Sequence, residues 1–240
     1  MNCEAVLSLI VALDFPELDS CRKILEELKG LVKIYKVGSE LFTAEGWRAV
    51  ELVRQSGAEV FLDLKLHDIP TTVAKTARVI AKHDVFMSTV HALGGLDRMR
   101  EAKKALDESS KGRRRPLLVG VTILTSHKEA DLSKELGIPR PLKEEVLVLA
   151  RLAKEAGLDG VVCSPEEIGI LKKALGEKFI LVTPGIRPAG VEREDQSRVM
   201  TPREALQKGA HYLIIGRPVT AALHPRRALE EILKDWQSQA

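Results

Sequence analysis

Residues 59–82 read EVFLDLKLHDIPTTVAKTARVIAK, and this stretch contains the pattern from which we infer the fold. Glu59–Lys65 is a mostly apolar run of strand length, and Val73–Lys82 follows it with apolar residues at helical spacing. Pro70 lies between the two segments, where a break in regular structure is expected. The stretch therefore predicts one β-strand followed by one α-helix.

The same unit repeats along the chain, and no linker rich in Ser, Gly or Pro interrupts it. The predicted strands are Leu7–Leu13, Val32–Val37, Glu59–Lys65, Val85–His91, Leu117–Val121, Gly160–Cys163, Phe179–Thr183 and Tyr212–Ile215. The predicted helices are Leu18–Leu28, Ala49–Gln55, Val73–Lys82, Leu96–Leu106, Glu144–Ala156, Pro165–Leu175, Pro202–Lys208 and Ala221–Trp236. Strict alternation implies parallel strands joined by right-handed crossovers. We therefore predict an α/β fold, a (β/α)8 TIM barrel that forms a single domain over residues 1–240.

Composition narrows the range of partners. Aromatic residues make up only 4% of the 240 residues, which argues against a row of rings that stack on single-stranded nucleic acid. The formal net charge is +3, too small to indicate a polyanionic partner, and we interpret Arg113–Arg115 as a solvated loop before a strand. We expect no nucleic-acid partner, and a ligand held mainly by polar contacts.

The cysteines and the N-terminal residues indicate a cytoplasmic protein without a membrane segment. The three cysteines are odd in number and have no CxxC spacing, so neither a disulfide framework nor a zinc site is predicted. The apolar run Ala5–Leu13 follows Glu4 without a basic region, and it is too short to span a membrane. We interpret this run as the first strand.

Two charged residues interrupt the apolar third strand. The alternation of side chains along a strand puts Leu62, Leu64 and Leu66 on the face toward the helices. Asp63 and Lys65 then point into the barrel near its C-terminal end, where barrel enzymes place catalytic groups. A buried Asp–Lys pair that only stabilises the fold is the alternative, but such pairs add little stability once desolvation is counted. We therefore favour a functional site that also includes Asp68 in the loop.

Two further charges stand at the same end of neighbouring strands. Asp14 follows the first strand directly, and Lys36 lies near the end of the second. Either residue alone could equally well be an ordinary polar residue at a strand end. Together with Asp63 and Lys65 they predict one network of alternating lysines and aspartates, in which opposite charges keep each group ionised.

The loops after strands seven and eight predict a phosphate site. Residues 184–188 read PGIRP and include Arg187, while Gly216, Arg217 and Pro218 follow the eighth strand. Barrels commonly bind phosphate at these two loops, where glycine lets the backbone approach and arginine offers a forked cation. The polar loop Ala189–Met200 contains Gln196 and suits either a lid or a plain surface loop.

These motifs resemble the orotidine 5'-phosphate decarboxylase family. The matches extend over nearly the whole chain in order: Asp14, Lys36 in YKVG, residues 63–72 (DLKLHDIPTT), residues 121–126 (VTILTS), residues 184–188 (PGIRP), Gln196 and residues 215–217 (IGR). The resemblance implies a homodimeric barrel that converts orotidine 5'-phosphate to UMP and carbon dioxide in de novo pyrimidine synthesis. It also implies that the reaction needs neither a metal nor an organic cofactor.

The resemblance further implies roles for individual residues. The catalytic residues are Lys65 as proton donor, Asp63 beside the departing carboxyl group, Lys36 and Asp68. The implied substrate-binding residues are Asp14, Lys36, Asp63, Leu64, Lys65, Leu66, His67, Asp68, Ile69, Pro70, Thr71, Thr72, Thr125, Arg187, Gln196, Gly216 and Arg217. Asp68, Ile69 and Thr72 are implied to reach the partner's site across the dimer interface. For the His67 imidazole a purely structural role is an open alternative.

Two other functions are alternatives. A metal-dependent sugar-phosphate lyase shares a similar barrel and an Asp-x-Lys-x-x-Asp motif, but its magnesium site uses an acidic residue near the end of strand two. Lys36 takes that place here, and its charge would repel Mg²⁺. A catalytically silent phosphoribosyl-ligand binding protein is the second alternative, against which the intact set Asp63, Lys65 and Asp68 argues.

Overall fold

The computed structural model describes residues 8–186 and 200–237. Eight parallel strands close into a barrel in chain order, and β1 pairs with β8 to complete it. The strands are β1 Leu9–Ala12, β2 Ile34–Gly38, β3 Glu59–Leu66, β4 Met87–His91, β5 Leu117–Val121, β6 Gly160–Val162, β7 Ile180–Thr183 and β8 Tyr212–Ile215. The predicted (β/α)8 barrel is confirmed.

Three strands begin two residues later than the sequence pattern predicts, and β7 begins one residue later, at Ile180. β2 starts at Ile34 instead of Val32, and β4 starts at Met87 instead of Val85; β1 likewise begins at Leu9. Val32 and Val85 are buried, but the pairing of their strands with the next begins only at Ile34 and Met87. An apolar run indicates which residues are buried, whereas a strand requires backbone pairing. The start of the apolar run and the start of the strand therefore differ.

Helices follow the strands and cover the outside of the barrel. They are α1 Leu18–Glu27, α2 Ser39–Glu45, α3 Trp47–Gln55, α4 Pro70–Ile80, α5 Leu96–Ser109, α6 Glu129–Lys134, α7 Leu142–Glu155, α8 Ile168–Leu175, α9 Pro202–Gln207, α10 Arg217–Thr220 and α11 Pro225–Gln237. The eight predicted helices are present within a few residues of their predicted bounds. The short helices α2, α6 and α10 are not among the eight predicted helices.

Two apolar layers fill the molecule. The inner layer occupies the barrel and consists of Ile10, Ala12, Ile34, Phe61, Met87, Val119, Val182 and Ile214. The outer layer packs the strands against the helices, so that Phe61 faces inward while its neighbour Leu62 faces outward. The alternation read from the sequence is therefore realised in β3. The inner layer blocks the barrel below the C-terminal ends of the strands, so a ligand must bind above it.

The helices of the described residues are outer-layer elements of this barrel. None of them has both the length and the apolar character that crossing a membrane requires. Neither Cys21 nor Cys163 takes part in a disulfide, and both are buried.

Candidate active site

A cavity of about 590 Å³ opens at the C-terminal end of the barrel. Its floor is the top of the inner apolar layer, including Ala12, Phe61 and Ile214. The other lining residues come from several strand ends and loops: Asp14, Lys36, Glu40, Asp63, Lys65, Val121, Ile123, Leu124, Thr125, Ser126, Val162, Cys163, Pro184, Gly216 and Arg217. The size and the mixture of an apolar floor with a few charged groups suit a small polar ligand.

Four charged side chains form a continuous row along one wall of the cavity. The Nζ atom of Lys36 donates to Asp14 Oδ1 at 2.7 Å and lies 3.9 Å from Asp63 Oδ2. Lys65 Nζ donates to the same Asp63 oxygen at 2.8 Å. The side chains of Lys36 and Asp63 are only 11% and 10% exposed, so their charges act in a poorly solvated environment. The alternation of signs gives each poorly solvated charge an opposite charge as its neighbour.

The backbone of Lys65 adopts an unusual conformation. Its φ angle is +50°, in the left-handed region that residues with a Cβ rarely adopt. The pairing of β3 with β4 is irregular at the same point, since the register shifts between Leu62 and Leu66. The backbone N–H of Lys65 donates to Thr89 Oγ1 at 2.8 Å. The irregularity therefore occurs at Lys65, whose side chain bonds to Asp63. Backbone strain of this kind often occurs at functional sites.

Gly38 leaves the space that the Lys36 ammonium occupies. A methyl group added at Gly38 would lie 2.7 Å from Lys36 Nζ and 3.2 Å from Asp14 Oδ1. The first distance is shorter than real Cβ contacts, so a larger residue would displace the ammonium. Gly38 ends β2, which places this gap directly beside the ion pair.

The predicted phosphate loops are described in part. Gly216 and Arg217 line the cavity, and Gly216 precedes the short helix α10. A methyl group added at Gly216 would lie 3.9 Å from Asp14 Oδ2, so this loop adjoins the carboxylate that binds Lys36. Pro184 also lines the cavity. Arg187 and Gln196 lie outside the described residues.

Thr125, from the loop after β5, is the remaining predicted residue on the cavity wall. The rest of the predicted binding segment lies away from this lining: Leu64, Leu66, His67, Asp68, Ile69, Pro70, Thr71 and Thr72. Leu64 and Leu66 pack against the outer apolar layer, and Pro70 begins α4. Asp68 is exposed, and its Oδ1 accepts the N–H of Ile69 at 2.6 Å. Within one chain, Asp68 therefore does not join the charged row.

Two histidine side chains lie close together near Lys65. The rings of His67 and His91 lie 5.2 Å apart between centroids. Burial is the main cause that lowers the pKa of His91 to about 4. Positive neighbours lower this pKa further, namely His67, Lys65, Arg98 and His127. His91 is consequently neutral near pH 7.

The chain matches the model of the Orotidine 5'-phosphate decarboxylase / HUMPS family over residues 8–232. The chain belongs to this family. The match covers all eight strands and the charged row, and it confirms the resemblance inferred from the motifs.

Individual relatives agree with the family assignment. The chain is 49% identical over 226 residues to an orotidine 5'-phosphate decarboxylase of Moorella thermoacetica, covering 93% of this chain and 90% of the relative. It is 47% identical over 230 residues to the protein of the same name from Streptococcus sanguinis, covering 95% and 97%. A crystal structure of orotidine 5'-phosphate decarboxylase from Lactobacillus acidophilus superposes with a TM-score of 0.84 at 40% identity, covering 95% and 98%.

Several residues that line or adjoin the cavity are not among those predicted from the sequence. Glu40, Ser126 and Cys163 line the cavity, and Thr89 bonds to Asp63 beneath it. Thr89 carries a signal of the kind that revealed Asp63, a polar residue within an apolar strand. Threonine is common in buried strands, however, so that signal is weak. Glu40 lies in the unpredicted helix α2 and had no such signal.

Proposed function

We propose that the protein is an orotidine 5'-phosphate decarboxylase, which converts orotidine 5'-phosphate to UMP and carbon dioxide in pyrimidine biosynthesis. The observation that carries the proposal is the row Asp14–Lys36–Asp63–Lys65, with Asp14 bonded to Lys36 and adjoining Gly216. This order matches the order of a nucleotide: a base at Lys65, a ribose at Asp14 and a phosphate at Gly216 and Arg217. Relatives with 45–49% identity over nearly the whole chain have this name.

Lys65 has the chemistry that the reaction needs. When the C6–carboxyl bond breaks, carbon dioxide leaves and the electron pair remains on C6, in the plane of the ring. The ammonium of Lys65 stabilises this developing negative charge and then transfers a proton to C6, which completes UMP. A fixed cation in a poorly solvated cavity stabilises the transition state strongly, because it need not reorganise as the charge forms.

Asp63 has two functions in this proposal. Its Oδ2 atom accepts from Lys65 at 2.8 Å and thereby aims the ammonium. Its negative charge also faces the substrate carboxylate and disfavours that group more than the transition state, in which the charge moves to C6. We give more weight to stabilisation by Lys65 than to this ground-state effect. Lys36 connects Asp63 to Asp14 and holds the ribose-binding end of the row.

The phosphate group supplies binding energy at the other end of the cavity. Gly216 and Arg217 line that end, and we assign Arg187 and Gln196 to the same group because of their place in the family motif. Thr125 contacts the pyrimidine ring in this proposal. Interactions with a remote phosphate can be used to organise the charged row around the base, so they contribute to catalysis as well as to binding.

We further propose that the active form is a homodimer in which Asp68, Ile69 and Thr72 reach the site of the partner subunit. Ile69 is 61% exposed, and Val79 on α4 is another exposed apolar residue nearby in sequence. Asp68 is likewise exposed in the single chain, so its carboxylate is free of the charged row and is available to a second subunit. A cytoplasmic location is part of the same proposal.

The metal-dependent lyase is disfavoured by the place of Lys36. Its ammonium lies 2.7 Å from one carboxylate oxygen and 3.9 Å from another, so a cation already stands between the two acids. A magnesium ion would need those oxygens as ligands and would be repelled by the lysine. The family name covers more than the decarboxylases, so this residue is the distinguishing feature.

The test is an assay of UMP formation from orotidine 5'-phosphate by the purified protein, with and without EDTA. We expect the wild type to be active in both, and Lys65→Ala to lose about three to four orders of magnitude in kcat. Each tenfold loss corresponds to about 1.4 kcal/mol of transition-state stabilisation. Lys173→Ala, on the exposed face of α8, is the control and keeps full activity.

Three results would contradict the proposal. A wild type that binds UMP but does not form it would be a silent binding protein. UMP formation that EDTA abolishes and Mg²⁺ restores would contradict a reaction that needs no metal. Undiminished activity of Lys65→Ala would remove the role assigned to Lys65.

A further inference from the structure

Thr89 lies in the middle of β4, completely buried, with its hydroxyl group directed at the charged row. Its Oγ1 donates to Asp63 Oδ1 at 3.1 Å. The same oxygen accepts the backbone N–H of Lys65 at 2.8 Å. A hydroxyl group has one proton to donate and two lone pairs to accept with, so both kinds of bond can form at once. One side chain thus holds two residues of the row.

The two oxygens of Asp63 are divided between different partners. Oδ2 accepts from Lys65 Nζ at 2.8 Å, while Oδ1 accepts from Thr89. Because both oxygens are bonded, the plane of the carboxylate is fixed and the ammonium is aimed in one direction. Without the Thr89 hydroxyl the carboxylate could rotate about its terminal bond, which has a broad torsional preference.

The second bond stabilises an unfavourable backbone. Lys65 has a φ of +50°, which the side chain of a lysine disfavours. The pairing of β3 with β4 is irregular there, so the Lys65 N–H bonds to a side chain in place of a strand carbonyl. Thr89 therefore satisfies a partly buried donor that the irregularity would otherwise leave without a strand partner.

We propose that Thr89 is a positioning residue for the Lys65–Asp63 pair, an inference that rests on the proposed function. Thr89 is not among the residues that line the cavity, so it acts through its two partners and not on the substrate. Its removal should lower kcat while leaving KM and UMP binding nearly unchanged. A displacement of about 1 Å in a reacting group can cost about 100-fold in rate, so we expect a loss of about 10- to 100-fold.

The experiment compares three variants in the decarboxylation assay. Thr89→Val keeps the shape and removes the hydroxyl, and Thr89→Ser keeps the hydroxyl. Ser88→Ala is the matched control, because Ser88 is equally buried on the same strand and its Oγ has no hydrogen-bond partner among the described residues. We expect a 10- to 100-fold lower kcat for Thr89→Val, about threefold or less for Thr89→Ser, and no change for Ser88→Ala.

Each activity is expressed per UMP-binding site, so that unfolded protein does not count. If Thr89→Val does not fold, Thr89→Ala is judged by the same criterion. An unchanged kcat would overturn the inference, and so would a loss that Thr89→Ser does not restore, since that would indicate packing alone. A loss confined to the free energy of unfolding would also overturn it. Failure of the wild type to form UMP would instead refute the proposed function.

Discussion

Lys65 has to meet two requirements in one residue. Its side chain must place an ammonium 2.8 Å from Asp63, and its backbone must adopt a φ of +50° to do so. Glycine would adopt this backbone without strain, but it has no amine. The conformation costs about 1–2 kcal/mol, which the surrounding structure must offset. The proposed role of Lys65 as the proton donor would account for the retention of this strain.

Arg217 should distinguish substrates by their phosphate group. We expect Arg217→Ala to lower kcat/KM for orotidine 5'-phosphate by about 10- to 100-fold, the worth of a hydrogen bond to a charged group. Orotidine itself lacks the phosphate, so its turnover should change by less than about threefold. Arg151→Ala, on the exposed side of α7, is the control for lost charge. Equal losses with both substrates would refute a phosphate-binding role.

Gly38 should matter for activity more than for stability. In Gly38→Ala the new methyl group would lie 2.7 Å from Lys36 Nζ, the end of a flexible side chain that can move aside. We expect kcat/KM to fall about 10-fold or more, and the free energy of unfolding to change by less than about 1 kcal/mol. Steady-state kinetics and urea unfolding measure the two effects. A large loss of stability with normal activity would contradict this account.

Single residues differ in how far the sequence predicts them. The alternation in residues 61–66 indicates that Asp63 and Lys65 leave the apolar face, and both line the cavity. The left-handed φ of Lys65 could not be predicted, because it depends on a register shift between β3 and β4. Thr89 was missed because the partner that reveals its role, Asp63, belongs to another strand.

At the scale of elements, the short helices α2 and α10 complete the cavity. Glu40 comes from α2 and Arg217 from α10, and both helices follow the C-terminal ends of their strands. A helix of four to seven residues makes too few turns to show periodic apolar positions. The sequence therefore predicts the eight repeating β/α units, but not the two additional short helices that shape the site.

The pairing of β6 with β7 depends on a glycine. Gly160 faces Ile180 across the two strands, and a methyl group added there would lie 2.1 Å from the Ile180 carbonyl oxygen. Backbone cannot move aside as a side chain can, so Gly160→Ala should reduce the free energy of unfolding by about 1–3 kcal/mol. Gly169→Ala is the control, because nothing lies within 4 Å of its added methyl group. Urea unfolding of both variants makes the comparison, and similar curves would contradict the prediction.

At the scale of the whole molecule, the barrel followed from the count and alternation of its units. The closed ring of eight parallel strands can be predicted without knowing any contact between residues, because each crossover places the next strand beside the previous one. No comparable pattern in the sequence predicts how subunits associate. Asp68 is exposed in the single chain, and the alternation of apolar residues gives no reason for its place in the motif.

If two subunits contribute to each site, two different inactive variants should restore activity when they form one dimer. In a heterodimer of Lys65→Ala with Asp68→Asn, one site combines the intact lysine of one chain with the intact aspartate of the other. Each variant alone should be inactive, whereas the heterodimer should have about half the wild-type activity per dimer, as two-fold symmetry requires. Co-expression with two different affinity tags and tandem purification provides the heterodimer.

The control for that experiment is a second heterodimer. One of its chains carries Lys65→Ala, and the other carries both Lys65→Ala and Asp68→Asn, so neither of its two sites is complete. An inactive Lys65→Ala/Asp68→Asn heterodimer would show that Asp68 does not act across an interface. Full activity of Asp68→Asn alone would remove Asp68 from the catalytic residues.

The pairing of β1 with β8 has a consequence for the order of synthesis. Asp14 follows the first strand and Arg217 follows the last, yet both line one cavity. A nascent chain on the ribosome has made most of its helices before β8 exists, and until then β1 and β7 are open edges. The growing polypeptide therefore lacks the complete cavity that a ligand could occupy, and it must avoid pairing those edges with other chains. Ligand can assist only the last step, when β8 enters the gap.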